Sequence, residues 1–269
     1  MVGAILHPRL AHAPWRSPQT ARLPGTTPVA PSDWLTVDSL YPAQLAERER
    51  LIDERRNSVI AGLPGSAAAQ AELFDTVLEA LSARDDFIRE RDAMRCPDGR
   101  RVALDRRAPL GTLGRLVQED LCLLERPDGA DEHVLTAAVL CFPANWTLAE
   151  KIGRPLAAIH APVPEYRGTL AARVQRLFDG LRPVERGGRI LMRMNALDHP
   201  APELFQTRRE SEPRPQGRHR GRYLRIERQC LRKLPLSGAT VFSIHTTVLD
   251  RAALSDEEAE AFAAYARAV

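Results

Sequence analysis

The sequence predicts an α+β fold, an antiparallel sheet with surrounding helices, on two observations. First, two pairs of strand-like runs are joined by turn signals. Residues 119–124 and 134–142 flank Pro127-Asp128-Gly129, and residues 223–234 and 240–249 flank Pro235-Leu-Ser-Gly238. Second, helical patterns lie between and around these hairpins. They do not alternate with single strands, as a doubly wound parallel sheet requires.

Each element follows from local pattern. Residues 1–33 are rich in Pro, Ala and Arg and lack periodicity. They read as an extended N-terminal arm, with Trp15 and Trp34 as anchors. Residues 34–269 read as a single domain. From Asp38 to Ile60, Leu45, Leu51, Ile52 and Val59 recur at helical spacing. Leu63-Pro64-Gly65 ends that helix, and Ser66 caps a second one with Leu73, Val77, Leu78 and Leu81 on one face. Pro97-Asp98-Gly99 marks a turn and residues 101–104 a short strand. Gly111-Thr-Leu-Gly114 is too short to cradle a phosphate and reads as a turn. Thr147-Leu-Ala-Glu150 is a capping box that starts a helix, which Gly153 and Pro155 interrupt. A helix over 168–181 points Leu170, Val174, Leu177 and Phe178 inward, and a strand follows at 189–194. Residues 208–222, dense in Arg, Pro and Gly, read as an exposed loop. Ser255-Asp-Glu-Glu258 is a second capping box, opening a C-terminal helix to Arg267.

Composition narrows the function. The 269 residues are 44% hydrophobic and 27% charged, a globular balance able to bury a sizeable core. The net charge of +3 is too small to predict a nucleic-acid partner. No run approaches the roughly 20 apolar residues that span a bilayer. The N-terminus is too short and broken for a secretory core, so we expect a cytoplasmic protein with no membrane partner. The four cysteines, Cys96, Cys122, Cys141 and Cys230, form no Cys-x-x-Cys pair, which argues against structural zinc or an iron–sulfur cluster. There is no Gly-x-Gly-x-x-Gly after a strand and no Walker loop. Redox chemistry here needs an external electron source.

The histidines carry the best chemical signal. His7 and His12 fall in the arm and His219 in the basic loop, and none of these reads as a site. His160 sits between apolar residues and prolines in Ile-His-Ala-Pro-Val-Pro, which no solvated residue requires. His245 lies in Val-Phe-Ser-Ile-His-Thr-Thr-Val, where alternation places it with Val241, Ser243 and Thr247. Glu119 and Asp120 open an apolar strand and are suited to hold a cation or orient a histidine. Alternation also places Arg225, Glu227 and Gln229 on one strand face and Arg228 and Arg232 on the other. That face is either solvated or the floor of a polar pocket.

Several of these segments together resemble a known family. They are residues 34–41, Val117-Gln-Glu-Asp-Leu-Cys-Leu-Leu124, Cys141-Phe-Pro-Ala-Asn-Trp146, residues 151–164, Arg193-Met-Asn195, residues 225–235 and Val241-Phe-Ser-Ile-His-Thr246. In that order they resemble the haem-dependent oxidative N-demethylase α-subunit family over about residues 33–250. One departure is Ala196, where the resemblance leads us to expect an aromatic residue. The resemblance implies a PAS-like sheet binding haem b. It also implies oxygen-dependent demethylation of a small secondary amine such as dimethylamine, with release of formaldehyde. Electrons then come from NADPH through a separate flavin and iron–sulfur reductase subunit.

A haem iron needs an axial ligand, and a neutral imidazole fixed by packing suits it. His160 is the first candidate and His245 the second, as ligand or as distal-side group. Glu227 and Glu119 are the candidate carboxylates for a cationic amine, or orient a neighbour. Arg225, Arg228 and Lys151 are candidates to pair haem propionates, and Trp146 and Tyr166 to wall the pocket. A haem-binding sensor and a non-catalytic subunit are the alternatives to an enzyme.

Overall fold

The main sheet is antiparallel at every pairing, and it is built from both ends of the chain. The structure is a computed structural model that describes residues 3–21, 25–161, 168–213 and 221–268. Its sheet strands are β1 (Thr27–Val29), β2 (Ile60–Gly62), β6 (Asp120–Glu125), β7 (Val134–Val139), β8 (Ile190–His199), β9 (Tyr223–Lys233) and β10 (Thr240–Asp250). They run in the order β1-β8-β9-β10-β6-β7-β2. A separate three-stranded sheet is formed by β3 (Ile88–Arg89), β4 (Ala93–Arg95) and β5 (Arg101–Ala103). Both predicted hairpins are present, and their strands meet through β10 pairing with β6, Val241 opposite Leu123.

Helices cover both faces of the main sheet. One face, carrying Leu121, Leu123, Cys230 and Val241, packs under α1 (Tyr41–Glu54), α3 (Ala67–Ser82) and α4 (Pro109–Gly114). Further along it, Leu224, Ile226 and Leu249 meet Leu10, Ala13 and the C-terminal α8 (Asp256–Ala268). This is the α1 face. The opposite face carries Cys122, Leu124, Leu231 and Phe242 and packs under α5 (Leu148–Lys151), α6 (Leu156–His160) and α7 (Thr169–Gly180). This is the α7 face. Continuous apolar burial on both sides explains why β6 and β7 lack a clean polar–apolar alternation. Among the described residues, no helix is long and apolar enough to cross a membrane.

Where the structure differs from the local reading, tertiary contact is the reason. The helix expected over 38–60 ends at Glu54. A single turn, α2 (Arg56–Val59), follows, and Ile60–Gly62 then pairs with β7 as an edge strand. Gly111–Gly114 belongs to α4, a helix with Pro109 in its first turn, and is not a free turn. A Cβ on Gly114 would lie 2.7 Å from Ile52 Cδ1 and 2.8 Å from Val139 Cγ2, so its glycine serves helix–sheet contact. The Thr147 box starts only one turn, and the Thr147 hydroxyl bonds Glu150 at 2.6 Å. The Ser255 box is reciprocal: Glu258 N–H donates to Ser255 Oγ and Ser255 N–H to Glu258 Oε2, each at 3.2 Å.

Parts of the first 33 residues pack on the sheet and on α8. Thr27–Val29 pairs with β8, Trp15 packs on Phe262 and Tyr265, and the His7 N–H donates to the Val248 carbonyl at 2.7 Å. Trp34 is fully buried, its indole donating to Ser243 Oγ at 3.1 Å.

Candidate functional site

The α7 face holds a polar patch in an otherwise apolar setting. Register places Arg193 beside Gln229, Asn195 beside Glu227 and Leu197 beside Arg225, with Thr246 across from Glu227. Paired residues share a face, so Arg193, Asn195, Arg225, Glu227 and Gln229 all point the same way. Arg225 Nε lies 3.3 Å from Glu227 Oε1, and Gln229 donates to Glu227 Oε2 at 2.9 Å. Arg225 also donates to the carbonyls of Phe142 and Leu204. Its guanidinium therefore pins the 141–146 segment to the sheet. The Asp120 carboxylate takes the N–H groups of Cys141 and Phe142 at 2.6 and 2.9 Å, while pairing with the fully buried Arg48 at 2.7 Å.

His160 closes α6 on this side of the sheet. Its Nδ1 lies 2.9 Å from the Leu156 carbonyl, one helical turn back. The carbonyl only accepts, so Nδ1 carries the proton and the lone pair lies on Nε2. Burial pushes the ring's pKa below its ordinary value, and the charges of Lys151 and Arg193 push the same way. The ring is therefore neutral at physiological pH and can bind a metal without first losing a proton. Arg193 itself is lowered by burial. Lys151, beside His160, donates to the Ile159 carbonyl at 2.6 Å and pairs with Glu210. Trp146 packs against the apolar cluster of this face.

A second constellation lies across the sheet. His245 faces the α1 side, as the alternation predicts, with Arg228 its neighbour on β9. The Arg228 guanidinium donates to the carbonyls of Asp33 and Trp34. Asp38 Oδ2 lies 3.0 Å from His245 Nε2 and 2.8 Å from His7 Nε2. Asp38 Oδ1 takes the Leu40 N–H and the Gln118 amide, both at 2.9 Å. Glu119 Oε1 accepts from the Thr36 N–H at 2.7 Å and lies 3.6 Å from His245 Nδ1, an ion-pair contact too long for a hydrogen bond. Burial alone would depress His245, but Asp38 and the Glu119 charge outweigh it and hold the pKa up at about 9. Burial likewise works against the Asp38 carboxylate, yet the bonds from His245 and His7 hold it well below the usual carboxylate range.

The predicted site residues thus divide. His160, Lys151, Trp146, Arg225 and Glu227 lie on the α7 side, whereas His245, Glu119 and Arg228 lie on the other. Tyr166 is outside the described residues. The N–H groups of Lys151, Arg225 and Arg228 already meet protein acceptors. Sequence reasoning passed over His7, which it left in the arm, and Asp38, which it read only as a helix boundary. Their partner lies more than 200 residues away, so no local signal could have found them. A cleft of about 530 Å³, lined by Glu49, Arg56, Arg100 and Arg115 among others, is at neither constellation.

Against known families, the model described as haem-dependent oxidative N-demethylase, alpha subunit-like, matches residues 25–269. The chain belongs to that family. No curated protein matches it.

The α7 face suits the haem that the family's description names. Arg193 Nε, Asn195 Oδ1 and Gln229 Oε1 are buried there without a hydrogen-bond partner among the described residues. Each such atom costs about 1–3 kcal/mol unless something completes it. A neutral helical imidazole beside a buried arginine with an unused donor is a donor set for an iron porphyrin and one of its carboxylates.

Proposed function

We propose that this chain is the haem-binding subunit of an oxidative N-demethylase, with haem b on the α7 face of a PAS-like sheet. His160, oriented by the Leu156 carbonyl, would hold its iron. Arg193 is the cation for a propionate, whereas the orphaned Asn195 and Gln229 oxygens, which only accept, suit the substrate ammonium. Glu227, on the same face, is the carboxylate for the substrate ammonium, while Glu119 and His245 lie too far around the sheet to share that role. Trp146 keeps water from the pocket side. When bound, haem supplies the oxygen chemistry that the side chains themselves lack.

The reaction we assign consumes a small secondary amine such as dimethylamine, molecular oxygen, NADPH and a proton. It yields the primary amine, formaldehyde, NADP+ and water. A separate flavin and iron–sulfur reductase subunit delivers the electrons. The family match over residues 25–269 carries this reading.

The test is an absorption spectrum of the protein expressed with haem supply, before and after dimethylamine, followed by a formaldehyde assay with a reductase. We expect a Soret band that shifts with the amine, and formaldehyde that depends on it. A Soret band indifferent to amines counts against this substrate class and favours a sensor. No band after haem addition contradicts the proposal outright.

A further inference from the structure

The His7–Asp38–His245 cluster matters independently of any haem. One potential ligand atom from each of His7, Asp38 and His245 lies within 4.8 Å of the other two. Around a small dication with bonds of about 2.0–2.2 Å, neighbouring donor atoms sit about 2.8–3.1 Å apart at right angles and about 3.3–3.6 Å apart at the tetrahedral angle. Two of the three separations here, 2.8 and 3.0 Å, are already near the first of these spacings. Two imidazoles and a carboxylate are the donor set of many three-ligand sites that leave further positions open.

His7 and Asp38 are also braced from behind by hydrogen bonds, as metal ligands are. His7 Nδ1 lies 3.2 Å from the Val248 carbonyl, which turns Nε2 inward. His245 Nδ1 faces the Glu119 carboxylate at 3.6 Å. The second oxygen of Asp38 is held by the Gln118 amide and the Leu40 N–H. Two further buried atoms here, His245 Nδ1 and Glu119 Oε2, have no hydrogen-bond partner among the described residues. Arg228 is the nearest strand neighbour of His245, but its guanidinium is taken up by backbone carbonyls, and two carboxylates offset its charge.

We infer that His7, Asp38 and His245 form a binding site for a divalent first-row transition-metal ion, on the sheet face opposite His160. It ties the N-terminal segment to β10. His7 precedes the residues matched by the family, so that match does not assign the site. The inference does not rest on the proposed demethylase function.

The experiment uses the full chain, stripped with a chelator, dialysed and titrated calorimetrically with zinc chloride. Wild type, His7→Gln and His160→Gln are compared, and zinc-edge X-ray absorption is recorded on the wild type. We expect one zinc per chain with a micromolar or tighter Kd. His7→Gln should weaken it at least about tenfold and His160→Gln should leave it unchanged. The absorption spectrum should show imidazole and oxygen scattering without sulfur. Several outcomes overturn the site: no saturable binding, equal binding in His7→Gln, weakening in His160→Gln, or a sulfur shell. The X-ray result stands even if a variant folds poorly.

Discussion

Asp38 is the carboxylate on which two distant histidines converge, and its setting predicts a pH response. In the metal-free protein, His245 is held at about 9 against roughly 6.5 in the unfolded chain. A raised folded pKa contributes stability that is fully present below the unfolded value and is lost as pH rises through the folded one. The window is therefore about pH 6.5 to 9, and the amount is on the order of 3 kcal/mol. Other groups titrate in that range, so the informative quantity is a difference between proteins. In chelator, the unfolding free energy of wild type minus that of His245→Gln should shrink by about that amount across the window. Urea midpoints give it directly, and a difference that grows with pH contradicts the assignment. Below the window the sign reverses for other rings. Burial lowers His133 and His199, so the unfolded state takes up their protons first and stability falls as pH drops below about 6.5.

Among the elements, those with strong internal signals were legible. The Pro127-Asp128-Gly129 hairpin, the long strands β9 and β10, α3 and the Ser255 capping box all carry turn, alternation or cap chemistry within a few residues. The misread elements take their state from partners far along the chain. Ile60–Gly62 is a strand because β7 offers it an edge, and Thr27–Val29 because β8 does. Gly111–Gly114 is helical in α4 because Gly114 lets that helix sit between Ile52 and Val139. The contact makes a prediction. Gly114→Ala should destabilise the protein by about 1–3 kcal/mol, because both neighbouring side chains are buried and must move. A urea midpoint equal to wild type would mean that the approach of α4 to the sheet is looser than the structure shows.

In the whole molecule, one sheet separates two sets of polar groups. His160 stood out in the sequence by its apolar and proline-rich setting, and the shared face of Arg225, Glu227 and Gln229 followed from strand alternation. What the sequence did not reveal was the partition, because which side of a sheet faces which helix is a property of the assembled layers. It sets His245, Glu119 and Arg228 apart from His160, and it brings forward Arg193 and Asn195, whose unpartnered atoms become visible only once neighbours are in place. The central claim is that the α7 face carries haem on His160. Its most direct test is the Soret spectrum of His160→Gly, with and without added imidazole. We predict that the substitution removes or shifts the wild-type band and that free imidazole restores it. A wild-type band in His160→Gly without imidazole would place the axial ligand elsewhere and contradict the account.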